Sequence, residues 1–416
     1  MSARKKRIII SIGFLVVLYG ILILVFIVLP KEKEERSVVK AVVTETKEQE
    51  RIPETETQVA AEEIVEPQEP PEVSLVMVGD MLMHTRVLES GKKEDGTYQY
   101  DHLFAQVKDD ITEADLALVN QETILGGTDL GLSSYPTFNS PYEVGDAEVD
   151  AGFDVILQAT NHALDKGKTG LLNDIAFWDS NYPDIAYLGI QDTKEEQDDQ
   201  IYVYEKEGIR IAILNYTYGT NGIPLPEDMP YAVNLLDEQK IRKDMEKANA
   251  ISDFQIVCPH WGTEYYLDVD ESQKKWTKLF LESGVDLVIG AHPHVIEPIR
   301  METDEAGNQM LVYYSVGNFV NGTESYDGTP GDRMLGGMAK VTIGYDENGE
   351  LGIKSYGVTP LVCHMAKGEA YTVYRLSDYT KELARENLIL NQDSSFSLER
   401  CQELVDRVWG SEVIIP

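Results

Sequence analysis

Short apolar runs recur from residue 73 to residue 358, and most close on a small knot of polar side chains. Leu75-Val76-Met77-Val78 ends at Gly79-Asp80, and 116–119 ends at Asn120-Gln121-Glu122. Residues 155–157 stop shortly before Asn161-His162, and 254–258 run into Pro259-His260. Residues 286–289 meet Gly290-Ala291-His292-Pro293-His294, and 311–314 meet Ser315-Val316-Gly317-Asn318-Phe319. Apolar runs of this length bounded by turn formers predict buried strands. Further strands are expected at 186–189, 202–205 and 209–214, with a closing antiparallel pair at 337–345 and 352–358. Helical spacing predicts helices over 103–114, 171–178, 237–250 and 272–281. Strands alternating with helices give an α/β fold with a mainly parallel sheet. Ligands gather at the carboxyl ends of such strands, and the polar knots all sit there.

The two ends of the chain break this pattern. Residues 1–7 form a basic stub with Arg4, Lys5, Lys6 and Arg7, followed by an uncharged stretch over 8–29. About 20 apolar residues span a bilayer as a helix. A cleaved signal peptide is the rival, but the run ends Ile27-Val28-Leu29-Pro30-Lys31, with no small-residue cleavage site. Residues 8–29 are therefore expected to be a transmembrane helix that anchors the chain in the cell membrane as a single-pass protein. Its N-terminus would be cytoplasmic and its main domain extracellular. Residues 30–72, rich in Glu and carrying Pro53, Pro67, Pro70 and Pro71, read as a disordered acidic linker. The folded domain is expected over 73–376 and a helical extension over 377–416. In the extension Ser397 caps a helix through Val408, Gly410 stops it, and Leu404, Val408 and Trp409 dock on the domain.

Composition narrows the partners. The apolar fraction of 43% is ample for a core, and the net charge is −36. No nucleic acid partner is expected, because gripping a phosphate backbone needs a positive surface. An anionic polymer or phosphoester substrate is not excluded, because bound cations would dominate the local field. Cys258, Cys363 and Cys401 are too few and too far apart for a disulfide framework. Nothing in their spacing supports a bridge between Cys363 and Cys401.

Five of the seven histidines fall in the polar knots: His84, His162, His260, His292 and His294. Imidazoles and carboxylates collected at strand ends are what a dinuclear metal site needs. Each knot alone has a plainer reading. Asp80 fits a turn or helix cap, Glu122 a first-turn glutamate, Asn161-His162 an ordinary loop, and His260 a satisfied core residue. Together they read differently. Glu122 is placed to bridge two cations with Asn120 as polar support. Asn161 ligates through its carbonyl oxygen, and His162 turns to the substrate as a general acid. Glu264 orients His260 or acts from behind the ligands. His292 and His294 share a face if their segment is extended. His84, Asn139 and Asn318 are candidates for binding substrate or supporting ligands, while His102 and His364 read as structural. Mixed nitrogen and oxygen donors suit two divalent ions of manganese, iron or zinc.

These stretches together resemble the CapA family, associated with poly-γ-glutamate capsule synthesis, within the calcineurin-like metallophosphoesterase superfamily. The matching signatures are 78–80, 120–123, 159–167, 260–265, 290–295 and 314–319, in family order over roughly 73–360. The resemblance implies a four-layer α/β/β/α metallophosphoesterase-like sandwich with its site at the sheet edge. It makes Asp80, Glu122, Asn161, His260, His292 and His294 metal ligands, and His162 the general acid. Two departures stand out. The wider superfamily has His two residues after the first aspartate, where this chain has Leu82. Glu122 replaces the usual second-motif aspartate. His84 is the candidate for the missing place. Two functions follow from the resemblance: a metal-dependent hydrolase of phosphoesterase type, or a non-catalytic component that binds polymer or partners in capsule synthesis or export.

Overall fold

A computed structural model describes residues 70–194, 201–323 and 328–415. The anchor expected at 8–29 and the linker up to residue 69 lie outside the described residues. Among the described residues no helix is long and apolar enough to cross a membrane.

The chain lays down two mixed sheets in turn. β1 (Glu72–Met81), β2 (Leu116–Asn120), β3 (Val155–Leu157) and β4 (Ala186–Leu188) pair in parallel. The second sheet takes β5 (Tyr202–Lys206), β6 (Ile209–Thr217), β7 (Phe254–His260), β8 (Leu287–Ile289), β9 (Ile299–Thr303) and β10 (Gln309–Tyr313). Its order is β5-β6-β7-β8-β10-β9, parallel in the middle and antiparallel at both edges. The chain then returns to the first sheet. β11 (Asn318–Val320) pairs with the end of β1, and β12 (Leu335–Tyr345), β13 (Leu351–His364) and β14 (Thr372–Arg375) extend the sheet in antiparallel fashion. The helices are α1 (Thr85–Ser90), α2 (Lys108–Thr112), α3 (Glu143–Ala151), α4 (Gly167–Asn181), α5 (Glu238–Ile251), α6 (Glu271–Glu282), α7 (Lys381–Glu386) and α8 (Leu398–Val408).

Alternation along the strands decides what packs where. In β6, Ile209, Ile211 and Ile213 enter a core that also holds Leu75, Met77 and Leu118 of the first sheet. The intervening Ala212, Leu214 and Tyr216 pack with Ile241 and Met245 of α5 and Phe280 of α6. That is the two-residue period of a strand buried on both faces. Each such aliphatic side chain stabilises the fold by roughly 1.5–3 kcal/mol through burial. Across the two sheets, the Tyr313 hydroxyl donates to the Gly357 carbonyl at 2.9 Å. The amphipathic helices start at cap residues. Asp237 accepts from the Lys240 amide ahead of α5, and Asp270 and Gln273 form a reciprocal capping box ahead of α6.

Some expectations shift. The helix expected over 103–114 is a 3-10 turn, Asp101–Leu103, followed by the short α2. Tertiary packing breaks it: Phe104 is drawn between Phe153 and Phe319, at ring separations of 6.0 and 5.8 Å. β9, β11 and β14 escape the apolar pattern because they are short or, like β9, mostly uncovered. Residues 377–415 pack within the same compact unit as the domain. α8 buries Cys401, Leu404 and Val405, and the Trp409 indole N–H donates to the Glu297 carbonyl at 2.8 Å. All three cysteines are buried and unbridged.

Candidate metal centre

The polar knots meet at one seam, where the carboxyl ends of the two sheets come together. Oxygen donors come from the first sheet and nitrogen donors from the second. Asp80 ends β1, Glu122 lies just past β2, and Asn161 follows β3. His260 ends β7, and His292 and His294 follow β8. Glycines allow the approach. A Cβ on Gly79 would fall 1.8 Å from the Gly317 carbonyl oxygen, and one on Gly290 would fall 2.2 Å from that of Tyr314.

Ligating atoms of Asp80, Glu122 and His294 lie within 4.8 Å of one another, as do those of Glu122, His260 and His292. Glu122 belongs to both groups. The Nε2 atoms of His260 and His294 are each 3.7 Å from Glu122 Oε1, and His260 Nε2 is 2.9 Å from Asn161 Oδ1. Asp80 is held by three donors. Asn120 Nδ2 reaches it at 2.8 Å, and the backbone N–H of His292 and the ring Nδ1 of His294 each reach it at 3.2 Å. Asn318 Oδ1 lies 3.1 Å from the same Nδ1, so that nitrogen carries a proton and Nε2 faces Glu122.

Burial and charge show what this cluster lacks. Glu122 is buried and neither carboxylate oxygen has a hydrogen-bond partner; buried His292 Nδ1 has none either. Burial pushes the Glu122 carboxyl well above its usual range, and Asp80 adds to the effect. Burial, then neighbouring imidazoles, push His260 and His292 well below theirs. Burial would lower His294 too, but Glu122 and Asp80 outweigh it and raise the ring to about 9. Unpartnered buried carboxylate and imidazole atoms are costly without a cation among them. The donor set therefore fits divalent metal binding, with Glu122 common to two of the ligand groups.

The backbone is strained around this cluster. Among the described residues five non-glycine residues have positive φ, and four of them line the site: His292 at 101°, His294 at 59°, Tyr265 at 64° and Asn221 at 51°. Such conformations cost about 1–3 kcal/mol each and persist where surrounding contacts enforce them. The extended segment expected for His292 and His294 is therefore absent. Their rings converge through two left-handed residues, 5.6 Å apart and 61° between planes.

The remaining candidates divide. His162 sits beside the ligands with Nε2 3.9 Å from Glu122 Oε1, and its Nδ1 is 2.7 Å from Asp165 Oδ2. Asp165 was hidden within what reads as a turn; its spacing of three residues from His162 was the available signal. Asn120 and Asn318 buttress Asp80, His260 and His294. Glu264 is exposed and groups with His292 and His294, not with His260. His84 is on the rim, its ring 5.2 Å from that of Phe138, and joins none of the ligand groups among the described residues. Burial and then the charges of His294, His162 and Arg333 hold it down to about 3. Leu82 is buried, and its N–H donates to Val320. Asn139 does not reach the site, because its amide group donates to the carbonyls of Gly127 and Gly131 and ties a loop. His102 meets Ser90, and His364 meets Tyr379, as structural residues. Tyr218, Asn221 and Arg333 had no sequence signal. The guanidinium of buried Arg333 lies 3.6 Å above the Tyr265 ring.

The model of the family described as bacterial capsule synthesis protein PGA_cap matches residues 74–323, which hold every residue of this seam except Arg333. This chain belongs to that family. Among PGA_cap relatives, the PGA biosynthesis protein CapA of Bacillus subtilis (strain 168) is 27% identical over 264 residues, 60% of this chain and 63% of that protein. The capsule biosynthesis protein CapA of Bacillus anthracis is 27% identical over 307 residues, 66% of this chain and 71% of that one. Solved structures with a related outline include a 5'-nucleotidase precursor from Thermus thermophilus, with a TM-score of 0.45 and 14% identity over 81% of this chain and 58% of that one. Haemophilus influenzae NAD nucleotidase has a TM-score of 0.45 and 12% identity over 83% of this chain and 64% of that one.

Proposed function

We propose that this chain is a membrane-anchored, extracytoplasmic protein of poly-γ-glutamate capsule synthesis or export. It would carry a metal-dependent hydrolase site of phosphoesterase type within a four-layer sandwich. The observation that carries the reading is Glu122, shared by two buried ligand groups and with no hydrogen-bond partner for either carboxylate oxygen. Asp80, Glu122, Asn161, His260, His292 and His294 would hold two divalent cations. Cations there supply Lewis-acid activation of water and of the scissile group. The protein's own part follows from its hydrogen bonds. Asp165 keeps a proton on His162 Nδ1 and turns Nε2 towards Glu122. In its imidazolium form, His162 can then protonate a leaving oxygen or nitrogen. Asp80 and Asn318 do the equivalent for His294, leaving Nε2 as the ligating atom.

The test uses the full-length chain with measured metal content. Bis(p-nitrophenyl) phosphate and a γ-glutamyl p-nitroanilide are assayed with added manganese. Turnover that vanishes in His162→Ala while bound metal persists is the expected result. Bound metal with no turnover of either substrate by the wild type would replace the hydrolase with a polymer- or partner-binding role.

A further inference from the structure

Tyr218 stands on the loop after β6, in a stretch that none of the recognisable signatures covers. Its backbone N–H donates to the His260 carbonyl at 3.0 Å, which ties this loop to a ligand residue. Its ring lies 4.6 Å from the His292 ring. Its hydroxyl reaches the ligand cage. Oη is 3.4 Å from Asn221 Oδ1, and that same oxygen accepts from Asn161 Nδ2 at 3.3 Å. A phenol is an O–H donor at neutral pH. Yet the side chain is 46% exposed, while His292 beneath it is only 2% exposed. A half-uncovered aromatic ring with its donor end beside buried ligands is an amphipathic surface shaped for contact with a bound molecule.

We propose that Tyr218 is a substrate-binding residue whose hydroxyl donates a hydrogen bond to an oxygen of the scissile phosphoryl or acyl group. Its ring meanwhile holds His292 in position. The inference rests on the hydrolase reading above and adds the group that meets the reacting oxygen. A neutral donor suits this place. It stabilises charge that develops on that oxygen without adding a further cation beside the metal positions. Asn221, in its left-handed conformation, aligns the phenol and Asn161 through one shared oxygen.

Two substitutions separate the ring from the hydroxyl. Tyr218→Phe keeps the tilted ring contact with His292 and loses only the donor, whereas Tyr218→Leu loses both. Full-length protein loaded with manganese is titrated with inorganic phosphate by calorimetry and assayed on bis(p-nitrophenyl) phosphate. Tyr218→Phe is expected to retain wild-type manganese affinity, to bind phosphate several-fold more weakly, and to lose about 100-fold or more in kcat. Tyr218→Leu should also weaken manganese binding. Phosphate affinity and kcat in Tyr218→Phe equal to the wild type would overturn the proposal, as would a manganese-loaded wild type that binds no phosphate. A wild type that binds phosphate but turns over neither ester nor amide ends the hydrolase reading alone, and the phosphate titration then decides the role of Tyr218 by itself.

Discussion

Asp165 Oδ2 accepts a hydrogen bond from His162 Nδ1 at 2.7 Å, and the same oxygen also accepts from the Phe138 backbone N–H. One carboxylate thus fixes both the tautomer of the proposed acid and the Phe138 ring, whose edge meets His162 at 4.7 Å. Asp165→Asn should lower kcat by about 100-fold or more, because the imidazolium loses its counter-charge. Metal content and KM should stay near wild type. Steady-state kinetics beside elemental analysis of the purified variant checks this.

Glu122→Gln should act in opposite directions on metal binding and on the metal-free fold. The carboxylate is buried without a hydrogen bond, at a cost of about 1–3 kcal/mol in the apoprotein. A neutral amide removes the buried charge, and its oxygen still faces the imidazole nitrogens that stand 3.7 Å away. In chelator, calorimetry should therefore find the variant at least as stable as wild type. Added manganese should stabilise the wild type markedly and the variant little, because binding to the native state alone raises stability.

Gly290→Ala should damage the site through backbone contact. The new Cβ would lie 2.2 Å from the Tyr314 carbonyl oxygen and 2.4 Å from Trp261 Nε1. It would wedge apart the 2.9 Å hydrogen bond between those two groups. A loss of about 1–3 kcal/mol in denaturant unfolding is expected from overpacking. Weaker manganese binding should accompany it as His292 and His294 shift.

Asp174 predicts a pH dependence away from the metal. It is buried in α4 and accepts from Gln158, Trp178 and the Leu125 N–H, yet burial raises it to about 6. A carboxyl raised above its unfolded value favours the folded state below about pH 4, and that advantage is lost as pH rises through about 6. The contribution is about 2–3 kcal/mol over that window. Asp174→Asn should flatten this part of the stability profile relative to wild type. It should also lower stability throughout, because an amide nitrogen would face the donors of Leu125 or Gln158. Urea unfolding at pH 4, 5, 6 and 7 measures both effects.

Much of the centre is legible along the chain. Asp80, Glu122, Asn161, His260, His292 and His294 each follow an apolar run, and a parallel strand delivers its last residues to one edge whatever lies between. Asn120 and Asn318 were visible for the same reason. Asp165 was half visible, because local spacing put it beside His162 but equally described a turn. Asn139 misled because an amide near a knot cannot be told from one that holds a loop until its partners are seen.

The sequence by itself determined the alternation of strands and helices, the chemistry at the strand ends, and the family. Those features are local: side-chain periodicity and short motifs are written within a few residues of one another. Only the tertiary structure decided that oxygen donors come from one sheet and nitrogen donors from the other. It also put His292 and His294 in left-handed backbone, and brought Tyr218, Asn221 and buried Arg333 beside the site. Those relationships join residues dozens to hundreds of positions apart, and they exist only where the packing of two sheets outweighs the local preference of each segment.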